Sequence, residues 1–130
     1  MQSHHCNHDD SQELDAYVWG PGEDGIFCCN SKSNRYKPVL LQGLERDHVP
    51  GQWSQMAVGY EHSAGVTPKG EFFTWGRENY GRLGHEKYND GEIMKPKQVR
   101  SMIGKATVRH ISCSCYITAV VTKKGELLTW

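Results

Sequence analysis

No stretch of the chain approaches the roughly 18–20 consecutive apolar residues that a membrane-spanning helix needs. Residues 1–15 also lack the apolar segment that a secretion signal requires. Neither sign of charge is in excess: 15 Lys+Arg stand against 15 Asp+Glu. A balanced chain exerts no long-range pull on a phosphate backbone or an anionic membrane. Neither nucleic acid nor membrane is therefore an expected partner, and the cytoplasm or the nucleus is the expected location. Five cysteines, Cys6, Cys28, Cys29, Cys113 and Cys115, are an odd number without a C-x-x-C pair. That pattern offers neither a disulfide framework nor a zinc site and suits reduced thiols.

Catalytic signals are equally scarce. No nucleophile elbow, H-E-x-x-H or phosphate-cradling G-x-x-x-x-G-K-[ST] occurs, so no catalytic residue and no cofactor is expected. The tract His4-His5-Cys6-Asn7-His8-Asp9-Asp10 carries metal-binding side chains. Adjacent ligands with no second cluster close a tetrahedral site poorly, however. A polar, disordered tail over residues 1–15 is expected there, and no metal site.

What the chain has in abundance is glycine, 14 residues against roughly 7 per cent of an average chain, which points to many tight turns. It also repeats itself. At an offset of 55, Met56–Trp75 and Ile111–Trp130 agree at eight of twenty positions: Ala64, Val66, Thr67, Lys69, Gly70, Glu71, Thr74 and Trp75 against their later counterparts. Chance would give roughly one. A fainter copy lies upstream, where Tyr17-Val18-Trp19-Gly20 echoes Phe73-Thr74-Trp75-Gly76. Gly25 then follows Trp19 at the distance that separates Gly81 from Trp75.

Each copy predicts a hairpin. Ser63–Thr67 and Glu71–Trp75 are short and rich in β-formers, and Pro68-Lys69-Gly70 between them sets a tight turn. Thr118–Thr122 and Glu126–Trp130, joined through Lys123-Lys124-Gly125, repeat the pattern. Glu71 and Glu126 hold equivalent places in two units, as outward strand-start residues and not as an acid/base couple. Two further strands are predicted near 96–99 and 108–111. Four antiparallel strands per unit of about 50 residues is the pattern of a β-propeller blade, so the expected fold is all-β. Trp19, Trp75 and Trp130 recur where blades pack on one another, and Gly20, Gly59, Gly70, Gly76, Gly81, Gly84 and Gly125 read as backbone devices.

These residues carry a family likeness. The segment Trp75-Gly76-Arg77-Glu78-Asn79-Tyr80-Gly81-Arg82-Leu83-Gly84-His85 resembles the W-G-x-N-x-x-G-Q-L-G-x-G stretch of the regulator-of-chromosome-condensation (RCC1) repeat. Ala57–Ser63 resembles its A-C-G-x-x-H-T stretch, and Thr67–Gly76 its L-T-x-x-G-x-V-Y-T-W-G hairpin. Some positions depart from the pattern. Cys28 stands where the later unit has Gly84, and Ser114 and Ile117 stand where Gly59 and His62 do, which implies degenerate blades.

The resemblance implies a seven-bladed propeller, of which this chain would supply about two to two and a half blades. The end of one unit would fall at 16–20, a full unit at about 21–76 and an incomplete one at about 77–130. The remaining blades are expected in the same chain, because uncovered blades expose strand edges and core. It further implies a non-catalytic protein–protein interaction module. The alternatives are a guanine-nucleotide exchange factor for a Ran-type or other small GTPase, or the targeting propeller of a larger ubiquitin ligase or kinase. Propeller loops gather at the ends of the disc, so Tyr60-Glu61-His62 and Tyr88-Asn89-Asp90 are the candidate partner-contact loops. His62 has a second reading, as a histidine bonded within its own blade.

Overall fold

The computed structural model describes residues 16–22, 33–41, 52–86, 91–102 and 104–130. The tail over 1–15, Gly25, Cys28, Cys29 and the candidate residues Tyr88, Asn89 and Asp90 lie outside them. The described residues form nine strands in three antiparallel sheets. The first pairs β1 (Tyr17–Gly20) with β2 (Arg35–Leu40). The second has the order β3 (Gln55–Val58), β4 (His62–Val66), β5 (Phe72–Arg77), β6 (Glu92–Gln98). The third joins β7 (Val108–Cys113), β8 (Thr118–Thr122) and β9 (Leu127–Thr129).

The hairpins form where turn chemistry predicts them, and both use the same bonds. Gly70 N–H donates to the Thr67 carbonyl at 2.8 Å, and Gly125 N–H to the Thr122 carbonyl at 2.9 Å. The threonine hydroxyl then accepts the backbone N–H four residues on, Glu71 at 3.1 Å and Glu126 at 3.2 Å. This side-chain cap satisfies a turn donor that would otherwise need water. β5 is buried from Phe72 to Gly76, as a central strand covered on both faces should be. The strand predicted near 96–99 is β6, which completes the second sheet. The one predicted near 108–111 is β7, which opens the third.

Because side chains alternate across a strand, Phe72 and Phe73 point to opposite faces of β5 and seed two cores. Phe73 and Trp75 join Trp53 and Leu41 against Ala16 and Val18 of the first sheet, with Trp53 5.6 Å from Trp75. Phe72 joins Ala64, Val66, Val99, Val108 and Val120 toward the third sheet, and Trp130 meets it edge-on at 5.7 Å. The tryptophan of each of these blades thus faces the blade before it. Trp19 sits on the corresponding face of the first sheet and is 60% exposed. The packing predicted for it has no counterpart among the described residues, because no described strand precedes it.

Gly20, Gly70, Gly76, Gly81, Gly84 and Gly125 all take positive φ. At Gly76 this is compounded by crowding: with φ at 106°, a Cβ would stand 2.5 Å from the Glu61 carbonyl oxygen and 2.7 Å from His62 Cα. At Gly84 it would stand 2.6 Å from the Trp130 indole, so the absent side chain makes room for the next blade's tryptophan. Gly76→Ala is expected to destabilise the fold by about 1–3 kcal/mol from backbone strain alone, with the clash adding to it. The shift in urea midpoint against wild type measures the effect, and an unchanged midpoint contradicts it.

Candidate functional site

The links between β3 and β4, β5 and β6, and β7 and β8 all emerge at one end of the sheets, because each joins antiparallel neighbours. Two of them make the same turn: Gly59 N–H bonds the His62 carbonyl at 2.7 Å, and Ser114 N–H bonds the Ile117 carbonyl at 2.9 Å. The turn geometry therefore survives the exchange of glycine for serine and of histidine for isoleucine. Tyr60 N–H reaches across to the Ser114 carbonyl at 3.3 Å, tying one blade's loop to the next.

At the centre lies Arg82, whose side chain is 1% exposed. Its guanidinium donates to Glu61 Oε2 at 2.8 Å, to the Cys115 carbonyl at 3.1 Å and, through Nε, to the Asn79 carbonyl at 2.9 Å. Arg77 supplies a second pairing to Glu61, at 2.6 Å on Oε1. Burial alone would push the Glu61 carboxyl up, but the bonds from Arg77 and Arg82, with their charges, outweigh it and hold the carboxyl below its ordinary range. Tyr116 and Tyr80 lie over the guanidinium, with centroids at 5.1 Å and 5.7 Å, and meet each other edge-on at 5.5 Å. Tyr80 holds φ at +63°, a conformation that costs a residue other than glycine about 1 kcal/mol or more. The strain presents a ring that is 75% exposed beside the 58% exposed ring of Tyr116.

Behind this surface two threonine hydroxyls secure the same loop. Thr74 donates to the Leu83 carbonyl at 2.7 Å, and Thr118 of the next blade donates to the Arg82 carbonyl at 2.6 Å. Each hydroxyl has spent its proton, so it accepts from a neighbouring imidazole Nε2–H: His85 at 3.1 Å for Thr74, His62 at 2.8 Å for Thr118. His62 is 0% exposed and its Nδ1 has no partner. A second proton there would be buried and unsatisfied, close to Arg82. Burial first, and the Arg82 charge second, accordingly bring His62 down to about 4. Burial and the Lys97 charge bring His85 to about 4 as well.

The predicted loop Tyr60-Glu61-His62 therefore divides into three roles. Tyr60 is 73% exposed. Glu61 is engaged by two arginines. His62 fits neither of its expected readings: it is sealed from solvent, and its bond runs to Thr118 of the next blade and not within its own. Leu83 is fully buried beneath the loop. Arg82, Tyr80 and Tyr116 were not singled out by the sequence, although Arg82 stands where the repeat pattern has glutamine. Tyr116 is brought to Tyr80 only by blade-to-blade packing.

The sign of the pH dependence follows from these groups. Unfolded His62 binds a proton near 6.5 and folded His62 only near 4, so stability is fully present above pH 6.5 and falls as pH drops toward 4. Glu61, held below its ordinary value, contributes stability that is present above about 4.5 and is lost only as the pH falls below that. His62→Gln, which can still donate to Thr118, is expected to flatten part of this decline. Thr118→Val is expected to cost about 1–3 kcal/mol at neutral pH by stranding the His62 N–H and the Arg82 carbonyl. Urea titrations at pH 7, 6 and 5 read both effects, and identical slopes for wild type and His62→Gln would remove His62 as the source.

Two family models of the regulator of chromosome condensation (RCC1) repeat match the chain, at residues 69–121 and 53–82. The human E3 ubiquitin-protein ligase HERC2 is 33% identical over 116 residues, covering 88% of this chain and 2% of HERC2. The ultraviolet-B receptor UVR8 of Arabidopsis thaliana is 27% identical over 117 residues, covering 90% of this chain and 25% of the receptor. Among solved structures, Prp20p of Saccharomyces cerevisiae superposes with a TM-score of 0.74 at 21% identity, over 92% of this chain and 29% of its own. Its structure was described with its binding properties to Gsp1p and histones. Human WBSCR16 superposes with a TM-score of 0.69 at 23% identity, over 93% of this chain and 29% of its own. The chain thus spans only a small part of each of these proteins. With repeat models, relatives and blade-to-blade packing in agreement, it belongs to the regulator-of-chromosome-condensation repeat family and has the fold of a few blades of that family's β-propeller.

Proposed function

We propose that this segment is a non-catalytic docking module, and that its partner is a protein that binds the loop end carrying Tyr60, Tyr80 and Tyr116. The observation that carries the reading is the exposure of three tyrosines and Ile117 around a buried arginine held by one carboxylate and two backbone carbonyls. Tyrosines supply large contact area at low entropic cost and a hydroxyl for the wet rim of an interface, which is why they are frequent anchors. Arg82 holds the rings in place before a partner arrives, so less order has to be imposed on binding. Gsp1p and histones, named with Prp20p, are consistent with protein partners for such a propeller.

Two finer readings deserve separate tests. Targeting within a larger ubiquitin ligase is favoured by the 33% identity to HERC2. Guanine-nucleotide exchange on a small GTPase is favoured by the likeness to Prp20p; such exchange requires a protein wedge and no catalytic triad. Nucleotide release from a panel of purified small GTPases, timed with and without the intact protein, separates them. Absence of acceleration across the panel removes the exchange reading. For the docking face itself, Tyr60→Ser with Tyr116→Ser is expected to weaken a partner captured by the intact protein at least about tenfold, while the melting temperature moves little. Undiminished binding by the double variant would move the interface elsewhere.

A further inference from the structure

The opposite end of the blades carries a site of different chemistry. Between the second and third blades the turn after β4, the crossover from β6 to β7 and the turn after β8 enclose a groove of about 500 Å³. That is room enough for a small ligand or a short peptide segment. Lys69, Lys105, Lys123 and Lys124 stand exposed on its rim. The one carboxylate among the lining residues, Glu71, accepts the Thr67 hydroxyl at 3.2 Å. Among the described residues no ion pair engages any of the four lysines. In a chain of zero net charge this is a concentrated positive rim, and the charge repeats with the fold, since Lys69 and Lys124 occupy the same place in successive turns.

The floor is apolar, formed by Phe72, Val99 and Met102, and the walls are fixed to one another. The Gly70 carbonyl accepts Val108 N–H at 3.3 Å, the Thr107 carbonyl accepts Lys123 N–H at 2.8 Å, and the Met102 carbonyl accepts Lys105 N–H at 3.2 Å. A side chain at position 70 would collide with Thr107, so the two walls are in close contact at the groove's inner edge. The lysines therefore project from turns of fixed spacing.

Charge and shape together select the occupant. Lysine ammoniums act as point charges that accept carboxylates in many orientations, whereas planar bidentate recognition of phosphate favours arginine, and no arginine lines the groove. Single-stranded nucleic acid binds where exposed rings stack its bases, and the one ring in this lining, Phe72, is 3% exposed. We propose that the groove binds an acidic peptide segment of a partner protein, with its carboxylates on Lys69, Lys105, Lys123 and Lys124. This adds a second docking end to the propeller and does not depend on the tyrosine face.

The test uses the intact protein and three fluorescein-labelled probes: a peptide of repeated Glu-Glu-Leu, the same peptide with Gln for Glu, and an oligothymidine strand. Anisotropy titration is expected to show binding of the Glu peptide that weakens with added salt and is at least about tenfold tighter than for the other two probes. Lys69→Glu with Lys124→Glu is expected to weaken it at least about tenfold. Lys37→Glu with Tyr17→Glu and Tyr36→Glu, which changes the net charge equally at exposed sites of the first sheet, is expected to leave it within about twofold. Absence of Glu-peptide binding overturns the proposal. So does equal binding of the Gln peptide, equal loss in the control variant, or oligothymidine binding as tight as that of the Glu peptide.

Discussion

The Thr118 hydroxyl sits where three parts of the fold meet. It donates to the Arg82 carbonyl, accepts from His62 and begins β8 of the following blade. The bonds are short, buried and of fixed direction, so they set the tautomer of His62, with its proton on Nε2. Apolar packing between the sheets supplies most of the burial, but it is non-directional and tolerates sliding. The threonine–histidine bridge fixes the register of one blade against the next. With the register fixed, the Arg82 guanidinium lines up with the Cys115 carbonyl, and Tyr80 meets Tyr116.

Thr74 and His85 make the matching bridge to Leu83 inside the second blade. The loop from Asn79 to His85 is thus held at two successive carbonyls, one from its own sheet and one from its neighbour's. This double hold explains how a surface loop can keep a tyrosine in a left-handed conformation without rearranging. Rigidity at the loop's base is what makes the exposed rings at its tip available as a preformed surface.

Much of the fold was legible because it is local. The bonds from Thr67 to Glu71 and from Thr122 to Glu126 lie within five residues, and a glycine in the same place marks both turns. The 55-residue period was legible too, but a period gives the length of a unit and not where it begins, so the sheet β3–β6 straddles the Trp75-Gly76 landmark used to divide the sequence. The role of His62 was not legible because its bonding partner lies 56 residues away. A net charge of zero likewise says nothing of where charges gather, and the lysine-rimmed groove emerges only once three distant turns are brought together.

Trp75 and Trp130 both turn toward the sheet that precedes them, which gives the stack a direction. A nascent chain emerging from its N-terminus presents each new blade with a finished surface to settle on, so assembly can follow synthesis one blade at a time. The first sheet differs. Its own tryptophan, on the face turned away from the second sheet, meets no described strand and stands 60% exposed. Trp19 fluorescence would therefore report the packing of any further sheet against that face.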